Sequence, residues 1–343
     1  MKRGLVLLAV VATALLTVAA VSAKSNDTTI TGAGSTFVQP LVAAWTPALG
    51  SAFGYSVQYS GVGSGAGVSA VSSNQVDFGA SDAPLNPAQL QTCPDCVQIP
   101  WALSAVAVAY NVPGAPTHLN LDGPTIAKIF LGQITTWNDP AIAALNKGAN
   151  LPSLKITPVF RSDASGTSYA FTDYLSAISG DWKTKIGNST QPAFPAGIGA
   201  KGSSGVAGVV SRTSGSITYV DIAYAIKNHI RFAAMKNAAG KFLFPSLRRI
   251  IAAASAFTKV PANNEMHIVN PPKSAPLGYP ISTYTYVIVH AKTPHAAELR
   301  KMIFWCLTTG QTAQYAAKLT FANLATQHSV LVAAEKTLKK INT

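Results

Sequence analysis

Residues 29–37 read TITGAGSTF: a short β-branched run, Thr29–Thr31, that ends in a glycine-rich turn. Apolar residues recur at helical spacing after it, so the stretch predicts a strand, a loop and a helix. The same order returns where the alternating run Ser56–Tyr59 leads into the glycines of residues 61–67, and Val76–Phe78 predicts a third strand. This repetition indicates an α/β fold with parallel strands, in which ligands bind beyond the carboxyl ends of the strands.

The length of 343 residues and the placement of the predicted strands indicate two lobes rather than one. Strand-rich segments lie at both ends of the chain, around a long middle block. The pattern therefore predicts a discontinuous first lobe, residues 24–103 and 283–343, and a second lobe, residues 104–282. Two crossovers between the lobes would act as a hinge.

The N-terminus has the features of a secretory signal peptide, residues 1–23. Lys2 and Arg3 supply the charged start, Leu5–Val18 the apolar run and residues 21–23 a small-residue cleavage site. The apolar run is too short for a comfortable membrane span, and no cysteine near the cleavage site offers a lipid anchor. We therefore expect a soluble mature protein that is periplasmic or otherwise extracytoplasmic.

The net charge is strongly positive, and removal of Lys2 and Arg3 leaves +11 of the +13 of the full chain. A basic protein of this kind could bind nucleic acid, an anionic surface or an anionic small molecule. The basic residues are scattered, however, and the sequence contains no basic stripe interleaved with aromatic residues. Together with export, this distribution disfavours nucleic acid as a partner.

The three cysteines are Cys93, Cys96 and Cys306. Cys93 and Cys96 have the spacing of a redox motif, but they lack the strand-to-helix context that such a motif needs. In an oxidising compartment a local disulfide that closes a surface loop is the simpler interpretation. Cys306 lies in an apolar run and is expected to be a buried helix residue. Because there is no second cysteine pair and the histidines are scattered, we expect no metal site.

A second informative stretch, Arg161–Ser168, places a planar cation, a carboxylate, hydroxyls and a glycine where a helix is predicted to begin. Ser165 is a suitable N-cap, and the first backbone N–H groups of a helix have no partner within it. Those groups form an anion site with the positive end of the helix dipole, and Arg161 adds a fork of donors suited to tetrahedral oxyanions. The alternative interpretation is a capped helix beside a surface Arg–Asp pair.

Donor groups are concentrated in three loops that the α/β pattern brings to one region. Thr36 and Phe37 offer backbone N–H groups and a hydroxyl at one helix start, and Ser64 offers a hydroxyl in a glycine loop. The loop around Ser165 adds further N–H and hydroxyl groups. Asp82 is the exception, because an ionised carboxylate repels a fully deprotonated anion but accepts a hydrogen bond from one that retains a proton.

Four motifs stand in order along the chain: Gly32–Phe37, Val76–Pro84, Arg161–Ser168 and Tyr279–Tyr284. Together they closely resemble the motifs of the periplasmic phosphate-binding protein of ABC-type phosphate importers. The similarity runs through most of the mature chain and is weakest over about residues 230–270.

The resemblance implies a class II periplasmic-binding-protein fold, in which two lobes, each a mixed β-sheet flanked by helices, are joined by a two-crossover hinge. It implies that Asp163 pairs with and orients Arg161. The implied partners are inorganic phosphate and a membrane ABC permease, and the implied protein is a monomer without cofactor or enzymatic activity. The phosphate contacts implied by the motifs are Thr36, Phe37, Ser64, Asp82, Arg161, Ser165, Gly166 and Thr167.

Three other functions fit parts of the sequence. Gly61–Ala66 fits the G-x-G-x-x-A dinucleotide fingerprint, but an exported protein would meet little nicotinamide cofactor, and Asp77 matches the expected acidic residue only loosely. A secreted phosphate-ester hydrolase would need a nucleophile elbow or a histidine in the three loops, and the sequence has neither. The nearest competitor is a binder of another oxyanion, such as sulfate, molybdate or an organic phosphate, and the volume of the pocket would decide the case of organic phosphates. Because phosphate keeps a proton that sulfate lacks, Asp82 should favour phosphate by roughly 10²–10⁴-fold.

Overall fold

The computed structural model describes residues 28–343, and the predicted signal peptide, residues 1–23, lies outside them. The strands are β1 (Thr28–Gly34), β2 (Tyr55–Gly61), β3 (Phe78–Ser81), β4 (Cys96–Asn111), β5 (Asn120–Leu121), β6 (Thr157–Arg161), β7 (Ile198–Ala200), β8 (Ser216–Asp221), β9 (Arg231–Phe232), β10 (Ala234–Lys236), β11 (Phe242–Leu243) and β12 (Ser282–His290).

The helices are α1 (Gln39–Phe53), α2 (Ser64–Ser72), α3 (Pro87–Thr92), α4 (Gly123–Phe130), α5 (Pro140–Leu145), α6 (Gly166–Ile178), α7 (Gly180–Lys185), α8 (Gly202–Arg212), α9 (Ile222–Lys227), α10 (Leu247–Ala254), α11 (Ala296–Leu307) and α12 (His328–Leu338). No helix within residues 28–343 has the length and apolarity needed to cross a membrane.

One long strand, β4, belongs to two groups of strands. Its residues 96–105 pair with β12, and β12 continues through β3 and β1 to β2; we call this group the first half-sheet. Its residues 106–111 pair with β8, and β8 continues through β6 to β7; this group is the second half-sheet. Both half-sheets mix parallel and antiparallel pairs and carry flanking helices. The predicted α/β class with mixed sheets is confirmed.

Close backbone approach defines the parallel part of the first half-sheet. A Cβ added to Gly32 of β1 would lie 2.1 Å from the Phe78 ring, so the ring packs directly on the backbone. A Cβ on Gly67 of α2 would lie 2.3 Å from the Gly34 Cα, which shows that α2 also packs against the backbone of β1. Gly32 therefore lets the Phe78 ring lie directly on β1, and Gly67 lets α2 approach the backbone of β1 without an intervening side chain.

The C-terminal segment around residues 310–321 packs against the first half-sheet and α1 through aromatic residues. Trp45 of α1 packs edge-on against Trp101 of β4 with ring centroids 5.2 Å apart, and its indole N–H donates to the Gly310 carbonyl over 2.8 Å. Phe321 packs against Phe37 in the same manner, with centroids 5.9 Å apart. Residues near both ends of the described chain therefore share one core.

The periodicity of Thr312–Leu319 predicts a helix, and this prediction is wrong. The segment contains only the short 3₁₀ turn Ala317–Leu319. Thr320 then adopts a left-handed backbone with φ of 62°, and the Ala322 N–H donates to the Leu103 carbonyl of β4. Tertiary packing overrides the local helical pattern in this segment.

Replacement of Gly67 by alanine should destabilise the fold, because the added methyl group would collide with the backbone of β1 and push α2 away. Overpacking of this kind costs about 1–3 kcal/mol in free energy of unfolding. Urea unfolding followed by circular dichroism measures the effect. Gly180→Ala is the matched control: a Cβ there meets no atom within 4 Å, so its stability should change by less than about 0.5 kcal/mol. Equal stabilities for the two variants would contradict the packing of α2.

Candidate functional site

The loops at the carboxyl ends of the strands meet where the two half-sheets face each other, and we call this junction the cleft. Hydrogen bonds cross the cleft directly. The Ser64 hydroxyl of α2 accepts from the Gly166 N–H at 3.0 Å, and the Gly65 N–H donates to the Ala164 carbonyl at 3.0 Å. Residues that are about a hundred positions apart in sequence are therefore neighbours, and the cleft is closed.

The N-terminus of α6 forms one wall of the cleft. Ser165 is the N-cap, as predicted, and its hydroxyl accepts from the Ser168 N–H at 3.2 Å. Gly166 begins the helix, and a Cβ there would lie 2.5 Å from the Asp82 backbone nitrogen. Only glycine lets this helix end approach Asp82 so closely. Ser165, Gly166 and Thr167 are buried, so their N–H and hydroxyl groups lie in the interior of the cleft.

Arg161 ends β6 and is almost fully buried, with 4% of its surface exposed. Its Nε donates to the Asp163 Oδ1 over 2.7 Å, and its Nη2 pairs with Oδ2. This bidentate pair fixes the plane of the guanidinium and uses only two of its five N–H groups. The surface Arg–Asp alternative is therefore wrong, because the pair lies inside the cleft.

Asp163 also accepts from the Gly202 N–H at 3.0 Å, which ties the start of α8 to the arginine. Burial raises the pKa of Asp163, but hydrogen bonding to Arg161 and the charge of Arg161 lower it more, so the pKa lies below its ordinary value. The carboxyl is therefore ionised near neutral pH. The structure accordingly pairs Asp163 with Arg161, as the resemblance implied.

Asp82 follows β3 and is 2% exposed. The hydroxyls of Ser35 and Thr285 donate to its Oδ1 at 2.6 and 3.0 Å, and Thr167 approaches Oδ2 at 3.5 Å. Burial raises the pKa of Asp82 to about 6, while the Ser35 and Thr285 hydrogen bonds and the Arg161 charge limit the rise. Asp82 is thus mainly ionised at pH 7 and acts as an acceptor among donors.

The structure brings together all the residues that the motifs implied, with one difference in detail. Helix α1 begins at Gln39, two residues after Phe37, and the Phe37 N–H donates to the Ser35 hydroxyl at 3.0 Å. The Thr36 hydroxyl lies beside Ser203 of α8, with the two oxygens 2.9 Å apart. The implied residues that are buried in the cleft are Thr36, Phe37, Ser64, Asp82, Arg161, Ser165, Gly166 and Thr167.

Sequence reasoning missed three residues of the cleft: Ser35, Ser203 and Thr285. Ser35 stands next to Thr36 in the first glycine loop, so its position was a usable signal. Ser203 follows Gly202 at the start of α8 and could have been read as another helix-end donor. Thr285 lies within β12, 203 residues from the carboxylate that it contacts, and no local pattern indicates its role.

The cysteine pair lies outside the cleft. Cys93 and Cys96 are joined by a disulfide between the end of α3 and the start of β4. His290 stands beside this disulfide, and its ring nitrogen is 2.9 Å from Asp95. Both sulfurs are used in the bond, so neither is a thiolate that could bind a metal. Cys306 is buried in α11, as predicted.

A family model described as a PBP superfamily domain matches residues 19–309. The phosphate-binding protein PstS of Xylella fastidiosa is 37% identical over 292 residues, which cover 84% of this chain and 80% of that protein. Phosphate-binding protein PstS 2 of Mycobacterium tuberculosis is 39% identical over 259 residues, which cover 71% of this chain and 68% of that protein.

Solved structures share the fold. The phosphate-binding protein of Stenotrophomonas maltophilia superposes with a TM-score of 0.61 at 21% identity, covering 90% of each chain. An ABC-type phosphate transport receptor of Vibrio cholerae gives 0.55 at 19% identity, covering 85% of this chain and 99% of its own.

The fold, the donor-lined cleft and the superfamily match define a two-lobed binding protein of the periplasmic type. The sequence relatives identify the family within this class: the chain belongs to the PstS family of phosphate-binding proteins. Its members are binding proteins rather than enzymes, so the hydrolase and dinucleotide alternatives have no support. The predicted family is confirmed.

Replacement of Asp82 by asparagine should change how stability depends on pH. The folded-state pKa of about 6 lies above that of an unfolded aspartate, about 3.9, so the folded protein binds more protons between these values. The free energy of unfolding contributed by Asp82 therefore falls as the pH rises through this window. Urea unfolding should show Asp82→Asn gaining stability relative to the wild type from pH 4 to pH 7. A constant difference would contradict the raised pKa.

Proposed function

We propose that this chain is an extracytoplasmic binding protein that captures inorganic phosphate in the cleft and delivers it to a membrane ABC permease. The observation that carries the proposal is the composition of the cleft: the Asp163-paired guanidinium of Arg161, a helix N-terminus and several hydroxyls surround Asp82, an ionised carboxylate that forms no ion pair within residues 28–343. The names of the PstS relatives, which describe phosphate binding, support the same ligand.

The proposed contacts divide by chemistry. Arg161 supplies charge and a planar fork, which suits tetrahedral oxygens. The start of α6 supplies backbone N–H groups and the positive end of a helix dipole. Asp82 accepts the hydrogen that phosphate retains near neutral pH. The proposed phosphate ligands are Thr36, Phe37, Ser64, Asp82, Arg161, Ser165, Gly166 and Thr167, with Asp163 holding the arginine.

Closure of the cleft is the proposed capture step. In this proposal the lobes are residues 24–103 with 283–343, and residues 104–282, and the chain would cross between them near the middle of β4 and at the start of β12. The change of partner of β4, from β12 up to residue 105 to β8 from residue 106, supports this division. Bending there would separate Ser64 from Gly166 and open the cleft. Closure excludes water, which strengthens every hydrogen bond to the anion.

The cellular setting follows from the same proposal. Residues 1–23 direct export, and the mature protein is periplasmic or otherwise extracytoplasmic. It acts as a monomer that presents closed, loaded lobes to the permease. The strongly positive charge of the mature chain attracts anions in general and adds no selectivity among them.

Arg161→Ala should weaken phosphate binding by at least about 100-fold, because it removes a charge-assisted bidentate donor from a dry site. Arg161→Lys keeps the positive charge but loses the planar set of N–H donors, so its phosphate affinity should lie between those of the wild type and Arg161→Ala. Calorimetric titration with phosphate measures both. Arg212→Ala, an exposed arginine at the end of α8, removes the same charge outside the cleft and should leave the affinity unchanged. Unchanged affinity for Arg161→Ala would refute the proposed site.

Asp82 should determine selectivity, and titrations with phosphate, arsenate and sulfate test this directly. At pH 7.5 the wild type should bind phosphate and arsenate but not sulfate. At pH 5, below the Asp82 pKa of about 6, the protonated carboxyl becomes a donor and sulfate binding should increase. Asp82→Asn offers an amide donor at every pH, so it should bind sulfate at both. If Asp82→Asn still does not bind sulfate, the hydrogen-bond donors of the cleft, and not Asp82, determine which anion binds.

A further inference from the structure

The disulfide loop gathers metal-binding side chains from separate parts of the chain. Cys93 follows α3, Cys96 begins β4 and His290 ends β12. The two sulfurs and a ring nitrogen of the histidine all lie within 4.8 Å of one another, and His290 pairs directly with Cys96 across the two strands. His290 is 197 residues from Cys93 along the chain, so sequence spacing did not reveal this group.

The distance between sulfur and nitrogen suits a shared metal ion. The Cys93 Sγ lies 3.6 Å from the His290 Nδ1 and 3.8 Å from its Nε2. Zinc bonds of about 2.3 Å to sulfur and about 2.1 Å to nitrogen, set at the tetrahedral angle, place the two ligand atoms about 3.6 Å apart. The histidine therefore already stands at the distance from Cys93 that a shared zinc ion requires.

A backbone carbonyl orients the histidine. The His290 Nε2 is 2.8 Å from the Val71 carbonyl oxygen of α2. Because a carbonyl oxygen can only accept, Nε2 donates to it, and Nδ1 is the nitrogen that can bind a metal. A carbonyl on the second ring nitrogen is a common support for a metal-binding histidine, because it fixes both the tautomer and the orientation of the ring.

Asp95 supplies a fourth oxygen ligand and an open side. Its Oδ1 is 2.9 Å from the His290 Nδ1 and 3.8 Å from the Cys93 Sγ. A tetrahedral zinc ion needs about 3.4 Å between oxygen and nitrogen and about 3.6 Å between oxygen and sulfur, so a small shift of the carboxylate completes the set. The Asp95 side chain is 44% exposed, which gives an ion a path from solvent.

We propose that the reduced form of this loop binds one zinc ion through Cys93, Cys96, His290 and Asp95. The cysteines are synthesised as thiols, so the zinc form and the disulfide form are alternative products of the same loop. Zinc binding leaves the electrons on the sulfurs as thiolate lone pairs and releases the thiol protons to solvent, so it consumes neither an oxidant nor a reductant. Thiolate, imidazole and carboxylate together favour zinc over harder cations such as magnesium or calcium.

The backbone of the loop suits both forms. Cys93 and Cys96 have the C-x₂-C spacing of zinc sites, and their Cα atoms are 5.3 Å apart. Two zinc-bound thiolates lie about 3.8 Å apart, and rotation of each Sγ about its own Cα–Cβ bond reaches this separation without moving either Cα. The disulfide closes a very short loop, the kind whose loss removes least stability, so the reduced chain should keep its fold.

The experiment is a zinc titration of the mature chain in competition with a chromogenic chelator. One sample is reduced with a phosphine, which takes the oxygen of a water molecule and leaves two thiols, and is then kept free of oxygen. The other sample keeps its disulfide. The reduced chain should bind one equivalent of zinc, at least about 100-fold more tightly than the disulfide form, because only thiolates are strong zinc ligands.

Single substitutions test the two ligands outside the cysteine pair. In the reduced chain, His290→Ala should weaken zinc binding by at least about tenfold, whereas Asp95→Ala should have a smaller effect because water can take the fourth position. His295→Ala is the matched control, since it removes a nearby histidine that pairs with Asp77 instead. Cobalt(II) added in place of zinc reports the ligands directly, through thiolate-to-metal charge-transfer absorption that the disulfide form should not show.

Each outcome is decisive. Equal zinc affinities for the reduced and disulfide forms, or for the reduced wild type and His290→Ala, would mean adventitious binding only and would overturn the inference. If reduction unfolds the chain by circular dichroism, addition of zinc should restore the fold. A reduced chain that stays unfolded with zinc also overturns the inference.

Discussion

The structure of the cleft depends on satisfying the ionised carboxylate of Asp82, which is buried. An unpaired charge in a protein interior costs several kcal/mol, so Asp82 requires donors. Ser35, Thr285 and Thr167 supply them from three separate elements: the loop after β1, strand β12 and helix α6. Thr167 lies in α6, which follows β6 of the second half-sheet, whereas Ser35 follows β1 and Thr285 lies in β12 of the first half-sheet. The charge of the site is therefore best satisfied when the two half-sheets are together, which links the electrostatics of the cleft to its closure.

A second chain of contacts holds the opposite side of the cleft. Arg161 is fixed by Asp163, and the same carboxylate accepts from the Gly202 N–H at the start of α8. The next residue, Ser203, then reaches across to Thr36. Asp163 thus orients the Arg161 guanidinium and at the same time holds the start of α8 against the first half-sheet. A change at Asp163 would accordingly affect both the donors and the contact between the half-sheets.

Strand β4 explains why the two halves can act together. Its residues 96–105 lie in the first half-sheet and residues 106–111 in the second, so the backbone hydrogen bonds of one strand continue through the junction. We propose that the halves move by rotation about β4 and the start of β12, where the chain crosses between them.

Sequence alone determined the local features of this protein: the glycine loops, the cap at Ser165 and the run of donors around Arg161, because caps and turns depend on residues within about four positions. It also determined the family, since several such features stand in a fixed order. The tertiary structure alone decided that Thr285 and Ser203 join the site, at separations of 203 and 167 residues from their partners. Tertiary packing also decided that residues 312–319, predicted as a helix, form a turn. Local patterns do not encode these outcomes, because they follow from which buried polar groups must find partners once the half-sheets pack together.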